Sequence, residues 1–384
     1  MIYTLAFCTL CILYVVLMLL YRYGFSQERQ TTAVSEGYIN EYPFFSIIIP
    51  ARNEANNIAA CLQSILNNNY PGDRYEIILI DDFSTDDTAN IAKQLLLPPH
   101  RVLRLKDHLS AEERINAYKK KALEIAIQQS TGDYIITTDA DCILPSQWLN
   151  LFASAVAEQG VHFVAAPVSF TPYQQNDSWL YYFQSLDFMT MQGITVASNK
   201  LNLGNMCNGA NMLFSRQAFE AVDGYRDIDH KASGDDMMLM QKIQRRFPDS
   251  IRYLFEHHAI VETPVQPDFA SFINQRIRWA SKADSYPQFK MTLILLVVYL
   301  FNCSLLCTAI ISFIWPLYFP VLISALVIKV LAELFFLFPV ARFYRKKSEL
   351  IFFIFLQPLH ILYIIIAGFL GKFGTYSWKG RTVQ

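Results

Sequence analysis

The feature that most restricts this chain is the placement of its uncharged apolar runs, one at the start and the rest at the end, with nothing comparable between. Residues 2–21 (IYTLAFCTLCILYVVLMLLY) carry no charge, and about 20 residues at about 1.5 Å rise cross the roughly 30 Å hydrocarbon core of a bilayer. Further lipid-like segments are expected at roughly 291–312, 317–340 and 350–371. No basic stretch precedes the first run, no small-residue cleavage site follows it, and Arg22 comes directly after. An uncleaved anchor therefore fits better than a signal peptide. Composition agrees: 53% of the 384 residues are hydrophobic, 17% are charged and mean hydropathy is +0.22, whereas an average soluble domain is roughly 25% charged. The expected organisation is an anchor at 1–22, a large domain at 41–267, an interfacial amphipathic helix at 268–284, membrane segments within 291–371 and a tail at 372–384.

A balance of 32 Lys+Arg against 33 Asp+Glu provides no global basic field, so no nucleic acid partner is expected. Seven cysteines (Cys8, Cys11, Cys61, Cys142, Cys207, Cys303 and Cys307) are scattered, and the Cys8/Cys11 pair lies inside an apolar run. Neither a disulfide framework nor a zinc site is expected. The segment from Arg342 to Lys347 carries four cations in six positions, which marks a cytoplasmic loop. If residues 291–340 form a hairpin, the large domain shares that side, giving an integral membrane protein with a cytoplasmic domain, expected in a bacterial inner membrane. Basic residues Lys372, Lys379 and Arg381 conflict with a fourth full crossing, and a re-entrant or interfacial course for the segment containing Pro358 stays open. Lys329 and Glu333, four apart, can neutralise each other in lipid, either as a packing pair or as a functional one.

The first half of the large domain alternates short apolar runs with helical patterns. Strands are expected at Phe45–Pro50, Glu76–Asp81, Val102–Leu105 and Tyr134–Asp139, and helices at Asn56–Asn68, Asp86–Leu97 and around Ala111–Gln129. Alternation with uninterrupted Val/Ile/Leu strands predicts an α/β fold with a mostly parallel sheet covered on both faces. Segments that follow parallel strands share one rim, where open α/β folds bind ligands. That rim receives Arg52, Asn53 and Glu54, then Asp81 and Asp82, then Asp139 and Asp141.

Asp139-Ala-Asp141 suits Mg²⁺ or Mn²⁺, hard cations held by one or two carboxylates and shared with a diphosphate; a solvated turn with a capping Asp is the plainer account. At Asp81-Asp82, two acids ending a buried strand repel unless a donor or cation meets them, and a nucleobase N–H is one such donor. Ser84, Thr85 and Asp86 are good helix caps. No calcium-loop pattern and no glycine-rich phosphate loop occurs, which argues against a dinucleotide dehydrogenase or a P-loop NTPase. Asp235-Asp236 precedes a helical run, so a general base and a helix cap are both open. His257-His258 is read as a structural loop. In the amphipathic stretch Asp268–Ser281, Gln275, Arg278 and Trp279 cluster at i, i+3, i+4, suited either to membrane anchoring or to phosphate and acceptor contacts.

Taken together, FSIIIPARNEANNIAACLQSIL, ILIDDFSTDDT, TTDADC, CNGANMLFSRQAFEAVDGY, GDDMMLMQKI and QRIRW stand in the order seen in family 2 glycosyltransferases. The chain resembles their membrane-bound members, such as ceramide glucosyltransferases and hyaluronan, chitin and poly-N-acetylglucosamine synthases. The resemblance covers about residues 44–282 and implies the GT-A nucleotide-sugar-binding fold. It also implies that Asp82 recognises the nucleobase, that Pro50, Ala51 and Glu54 border the nucleotide, and that Lys121 lies near it. Asp139 and Asp141 are the implied metal and nucleotide-sugar ligands, with Asp141 the more direct. Asp236 is the implied base with Asp235 beside it, Gly209 and Asn211 form an acceptor-side loop, and Gln275, Arg278 and Trp279 serve the acceptor and the leaving diphosphate. One base opposite the leaving group means inversion at the anomeric carbon. The expected reaction moves a sugar from a UDP-sugar to a lipid or lipid-linked glycan; a processive polysaccharide synthase and a non-catalytic scaffold are the alternatives.

Overall fold

The computed structural model describes residues 2–31, 41–109, 116–174, 178–231, 233–281, 289–373, 376–378 and 381–383. After α1 (Ile2–Thr31) come β1 (Phe45–Ala51), α2 (Ile58–Leu66), β2 (Tyr75–Asp81), α3 (Thr88–Leu95), β3 (Arg101–Arg104), α4 (Tyr118–Gln128) and β4 (Tyr134–Thr137). The second half holds α5 (Trp148–Val156), β5 (Phe163–Ala165), β6 (Val168–Phe170), α6 (Trp179–Leu201), β7 (Met212–Ser215), α7 (Arg216–Ala221), α8 (Met237–Arg246), β8 (Ile251–Tyr253) and β9 (Val261–Thr263). Then follow α9 (Phe269–Ala280), α10 (Phe289–Ile314), α11 (Phe319–Phe343), α12 (Phe353–Phe373), β10 (Tyr376–Trp378) and β11 (Arg381–Val383). The segment before α4 expected to be helical falls partly at 110–115, outside the described residues, as do 282–284 of the amphipathic helix and Lys379 of the tail.

Seven strands form one sheet in the order β3-β2-β1-β4-β7-β5-β8. β3, β2, β1 and β4 are mutually parallel, whereas β7 runs antiparallel to β4 and β5. The sheet is mostly parallel as expected, with β7 the reversed strand. Side chains alternate across it: Ile47, Ile49, Ile77 and Leu79 pack with α2 and α5 on one face, while Ile48, Ile78 and Ile80 pack with α4 on the other. Neighbouring residues of one strand thus feed two cores, as the two-residue period requires. The order reverses between β1, followed by α2, and β4, so the crevice beyond their C-terminal ends is the topological switch point where such sheets bind ligands.

The α4-side core continues without a break into the apolar helices. Among the described residues, four candidate spans, Ile2–Glu28, Phe289–Ile314, Pro316–Phe343 and Lys347–Lys372, are long and apolar enough to cross a bilayer. The joint is α6, 23 residues long, which sequence patterning did not reveal because it is buried on most sides and shows no clean amphipathic stripe. It packs on α1 and α11, with glycines at both close approaches: a Cβ on Gly193 would lie 2.7 Å from Val340 Cγ2, and one on Gly24 would lie 2.8 Å from Leu201 Cγ. Phe25 meets Phe255 edge-on at 5.1 Å, and Phe255 stacks on Phe343 at 4.2 Å.

Lys329 and Glu333 pair at 2.6 Å inside the helix bundle. Gln357 joins them by accepting from Lys329 Nζ at 2.7 Å and donating to Glu333 Oε2 at 2.7 Å, and the Tyr14 hydroxyl also donates to Glu333. Three helices therefore share one satisfied polar cluster, the arrangement that lets charges persist in an apolar surround. α12 is unbroken through Pro358 and runs alongside α9: the Tyr363 and Phe272 rings are 5.4 Å apart, and Gly371 meets Ala280 at the same sequence offset. Its other end is tied to the start of α6 by Phe352 stacking on Tyr182 at 4.0 Å.

Gly193→Val should therefore wedge α6 from α11. The expected cost is about 1–3 kcal/mol, read as a lower Tm of the detergent-solubilised protein; an unchanged Tm would show that the close approach does not hold the two parts together.

Candidate active site

The rim is laced together by its two first loops. Arg52 donates from Nη1 to the carbonyls of Asp82 at 2.8 Å and Phe83 at 3.2 Å. Asn53 N donates to Ser84 Oγ at 3.0 Å, and Thr85 N to Asn53 Oδ1 at 2.8 Å. Asp86 accepts from Ala55 N at 3.0 Å and Thr88 N at 3.1 Å, and Thr88 Oγ1 accepts from Glu54 N at 2.8 Å. Asn53 and Phe83 take left-handed backbone conformations, φ 54° and 55°, which turn both loops toward each other. Ser84, Thr85 and Asp86 thus work mainly in joining the loops. Glu54 is 9% exposed and Ala51 and Asp82 are buried deeper, so Pro50, Ala51, Glu54 and Asp82 converge on one wall. Asp81 is buried beside them, and its Oδ1 has no hydrogen-bond partner among the described residues.

Asp139 and Asp141 sit in the turn after β4, past the strand end expected at Asp139, because the β1–β4 ladder stops at the Ile48–Thr137 pair. The turn is closed by Cys142 N donating to Asp139 O at 3.2 Å. Lys119, in the first turn of α4, pairs with Asp139 at 2.8 Å and with Asp235 at 3.3 Å. Burial favours its neutral form, but Asp139, Asp235 and Asp236 together outweigh that and hold its pKa above the ordinary lysine value. Lys121, the lysine singled out from sequence, points to Glu124 at 3.6 Å; the ammonium that reaches the acids is that of Lys119. In the KKK run a two-residue shift moves a side chain about 200° around the helix, which only the fold resolves.

Asp236 caps α8, accepting from Met237 N at 2.8 Å, while its other oxygen accepts from Gly209 N at 3.3 Å. Of the two roles left open from sequence, the structure shows the cap, and the same hydrogen bonds fix the orientation of the carboxyl. Gly209 packs closely on the acids: a Cβ there would lie 3.3 Å from Asp235 Oδ2, which would have to give by a few tenths of an ångström, and in ordinary contact at 3.6 Å from Lys119 Nζ. Asn211, expected on an acceptor-side loop, is instead an internal brace. It is fully buried, accepting from Trp148 Nε1 at 2.9 Å and donating to the carbonyls of Pro167 at 2.7 Å and Ala259 at 2.8 Å. His257 and His258 lie in a 3-10 turn with rings 5.6 Å apart, burial lowering the pKa of His257.

On α9, Gln275, Arg278 and Trp279 are half-buried near the C-terminal end. Arg276, which sequence reading passed over, is 2% exposed and tethers this helix to α6 through Asp187 at 2.8 Å. Its Nη1 donates to Gln275 Oε1 at 2.7 Å, and its guanidinium lies 4.2 Å from the Trp279 ring and 4.7 Å from Phe272. Asp236 and Trp279 line a common cavity of about 710 Å³ that continues between α6, α10 and α12.

Among the described residues no group of three or more His, Cys, Asp or Glu is arranged to hold a metal alone, and none of the seven cysteines is in a disulfide. Two neighbouring half-exposed carboxylates fit Mg²⁺ or Mn²⁺, which complete their shells with waters and substrate phosphates. Lys119→Met should destabilise the ligand-free protein by about 1–3 kcal/mol, below the figure for a fully buried pair since Asp139 is 40% exposed. Mn²⁺ should raise the Tm of the variant more than that of the wild type; equal responses would contradict a shared cation position.

Residues 46–223 match the family model "Glycosyl transferase family 2". Similar proteins include glycosyltransferase AglE of Haloferax volcanii, 28% identical over 236 residues, 62% of this chain and 71% of that one. Over a shorter stretch of 93 residues, 24% of this chain and 27% of the relative, it is 37% identical to the dolichyl N-acetyl-alpha-D-glucosaminyl phosphate 3-beta-D-2,3-diacetamido-2,3-dideoxy-beta-D-glucuronosyltransferase of Methanococcus voltae. Other curated relatives are spanned over about half their length, 53% and 55% for two of them. In fold the chain is similar to the mannosyltransferase PcManGT of Pyrobaculum calidifontis, with TM-score 0.57, 20% identity and coverage of 95% of this chain and 97% of that one. Residues 46–223 are thus similar to family 2 glycosyltransferases, the fold is that of GT-A enzymes, and four helices among the described residues are long and apolar enough to span a membrane.

Proposed function

We propose that the enzyme moves a sugar from a nucleotide sugar, a UDP-sugar by preference, to a hydroxyl of a lipid or lipid-linked acceptor, with inversion at the anomeric carbon. The observation that carries this reading is that Asp236 lines a cavity leading from the rim into the apolar helices. A base placed there meets an acceptor arriving from the bilayer. The Methanococcus voltae relative is named for a lipid-linked acceptor, and the Pyrobaculum mannosyltransferase was solved with GDP-Man and Mn²⁺.

Asp81 and Asp82 receive the base edge: the bare Asp81 Oδ1 is a buried acceptor that a nucleobase N–H satisfies. Asp139 and Asp141 would hold a divalent cation, which when bound supplies neutralisation of the leaving diphosphate. Arg278 adds charge-assisted hydrogen bonds to the same oxygens. Asp236 accepts the acceptor hydroxyl's proton as the oxygen attacks, and its cap to Met237 N together with Gly209 N fixes the carboxyl for that step. Lys119 lowers the repulsion among Asp139, Asp235 and Asp236 that would otherwise protonate one of them.

The catalytic domain lies on the cytoplasmic side in this reading. Lys346, within the basic segment, is pinned to the domain by Phe170 O at 3.0 Å and Ser185 Oγ at 2.9 Å, so the positive loop and the domain share a side of the membrane.

Asp236→Asn keeps the cap geometry and removes the base. It should cut transfer by about 10²- to 10⁴-fold while UDP affinity in the presence of Mn²⁺, measured by calorimetry, stays within about threefold. Transfer persisting at the wild-type rate would remove Asp236 from the reaction.

A further inference from the structure

We infer, resting on the reading of Asp236 as the base, that Lys120 is the residue that positions it: the buried Lys120 ammonium gathers three backbone carbonyls of the segment leading into α8 and so sets where the Asp236 carboxylate stands. Lys120 is 1% exposed, an uncommon place for a lysine, and it follows Lys119 on α4. Consecutive helix positions point about 100° apart. While Lys119 reaches Asp139 and Asp235, Lys120 therefore turns to a different stretch of chain. Its Nζ donates to the carbonyls of Ile228 at 2.6 Å, Lys231 at 2.9 Å and Ser233 at 3.0 Å. An ammonium has three N–H donors and no acceptor, whereas carbonyls only accept, so the three oxygens match its three N–H groups. Such charge-assisted bonds are the strong ones, and a buried ammonium deprived of them is costly.

The described residues between α7 and α8 form turns, with Asp223, Gly224, Asp227 and Gly234 in left-handed conformations, φ 53°, 48°, 68° and 82°. Lys242 of α8 grips the start of this segment in the same manner, donating to the carbonyls of Gly224 and Arg226 at 2.7 Å each. Tyr225 and Ile228 are buried in the α4-side core. At the other end, Ser233 O is held by Lys120, Gly234 O accepts from Met238 N at 3.2 Å, and Asp236 caps α8. The carbonyl that Lys120 holds and the carboxylate of Asp236 are thus joined by a few bonds of chain. One helix governs both: Lys119 balances the acids, and Lys120 fixes the chain on which Asp235 and Asp236 ride. The proposed nucleotide wall, Pro50, Ala51, Glu54 and Asp82, belongs to the loops after β1 and β2, outside this segment. Loss of the Lys120 cradle should therefore act on turnover and leave nucleotide binding in place, since misplacing a reacting group by about 1 Å can cost about 10²-fold in rate.

The test uses the full chain in nanodiscs of total membrane lipid with Mn²⁺ and whichever of UDP-glucose, UDP-galactose, UDP-N-acetylglucosamine and GDP-mannose the wild type transfers fastest. Lys120→Met keeps the stem and removes the ammonium; Lys120→Ala also leaves room for a small amine. Both should lower kcat by about 10²-fold with the donor KM and the nucleotide affinity within about twofold of wild type, the pattern of a lost transition-state arrangement. Ethylammonium should restore kcat of Lys120→Ala by about tenfold and leave Lys120→Met unchanged, because only the alanine variant has space for it. Tetramethylammonium, which carries the charge without an N–H, should restore neither. Wild-type kcat in both variants overturns the inference. So does equal rescue by the two cations, or a joint loss of kcat and nucleotide affinity that no amine reverses. Asp236→Asn separates the two readings: its transferring at the wild-type rate sinks the base assignment, whereas an inert Asp236→Asn beside a fully active Lys120→Met sinks the role of Lys120 alone.

Discussion

Everything at this site depends on holding several carboxylates together at a half-buried rim. Asp139, Asp235 and Asp236 come from segments about a hundred residues apart, and like charges in a partly desolvated crevice repel strongly. In the ligand-free protein the Lys119 ammonium, bonded to Asp139 and Asp235 at 2.8 and 3.3 Å, offsets that repulsion. Gly209 leaves the acids room to approach, since any side chain there would press on Asp235. In the proposed reaction, a divalent ion at Asp139 and Asp141 would add the charge that one lysine does not supply.

The second constraint is mechanical. In the proposed reaction the acceptor must reach Asp236, and the cavity that Asp236 lines runs between the sheet domain and the apolar helices. α6 makes the two one body, packed through glycine close approaches on α1 and α11. The Arg276–Asp187 pair then fixes α9 to α6 and, through the Arg276 guanidinium, sets Gln275 and the Trp279 ring. A buried ion pair of this kind is weak evidence for stability but is well suited to fixing one register between elements.

Much of the catalytic half was legible in the sequence because its signals are local. The Phe45–Ala51 and Tyr75–Asp81 strands are uninterrupted β-branched runs, and parallel topology alone puts the acids that follow them on one rim. The apolar spans were equally plain by length. What stayed hidden was set by tertiary context. Strands of three or four residues such as Phe163–Ala165 are too short to show a period, and the reversal of Met212–Ser215 leaves no local trace. α6 is buried on too many sides to look amphipathic. Lys119 could not be told from Lys121 without knowing which face of α4 meets the rim, and Asn211 looked like a loop ligand until its amide proved to be spent on Trp148, Pro167 and Ala259. Arg276 sat beside a motif arginine that drew attention away from it.

The central claim is that acids from distant segments surround one cation-bridged diphosphate at the mouth of a membrane-facing cavity. A cryo-EM map of the full chain in nanodiscs with Mn²⁺ and a non-hydrolysable UDP-sugar analogue tests it most directly. The account predicts the ion between the diphosphate and Asp139/Asp141, the base against Asp81 and Asp82, and the sugar facing Asp236 at the cavity mouth. A nucleotide bound away from that rim, or an anomeric carbon turned from Asp236 with the cavity closed off, would contradict it.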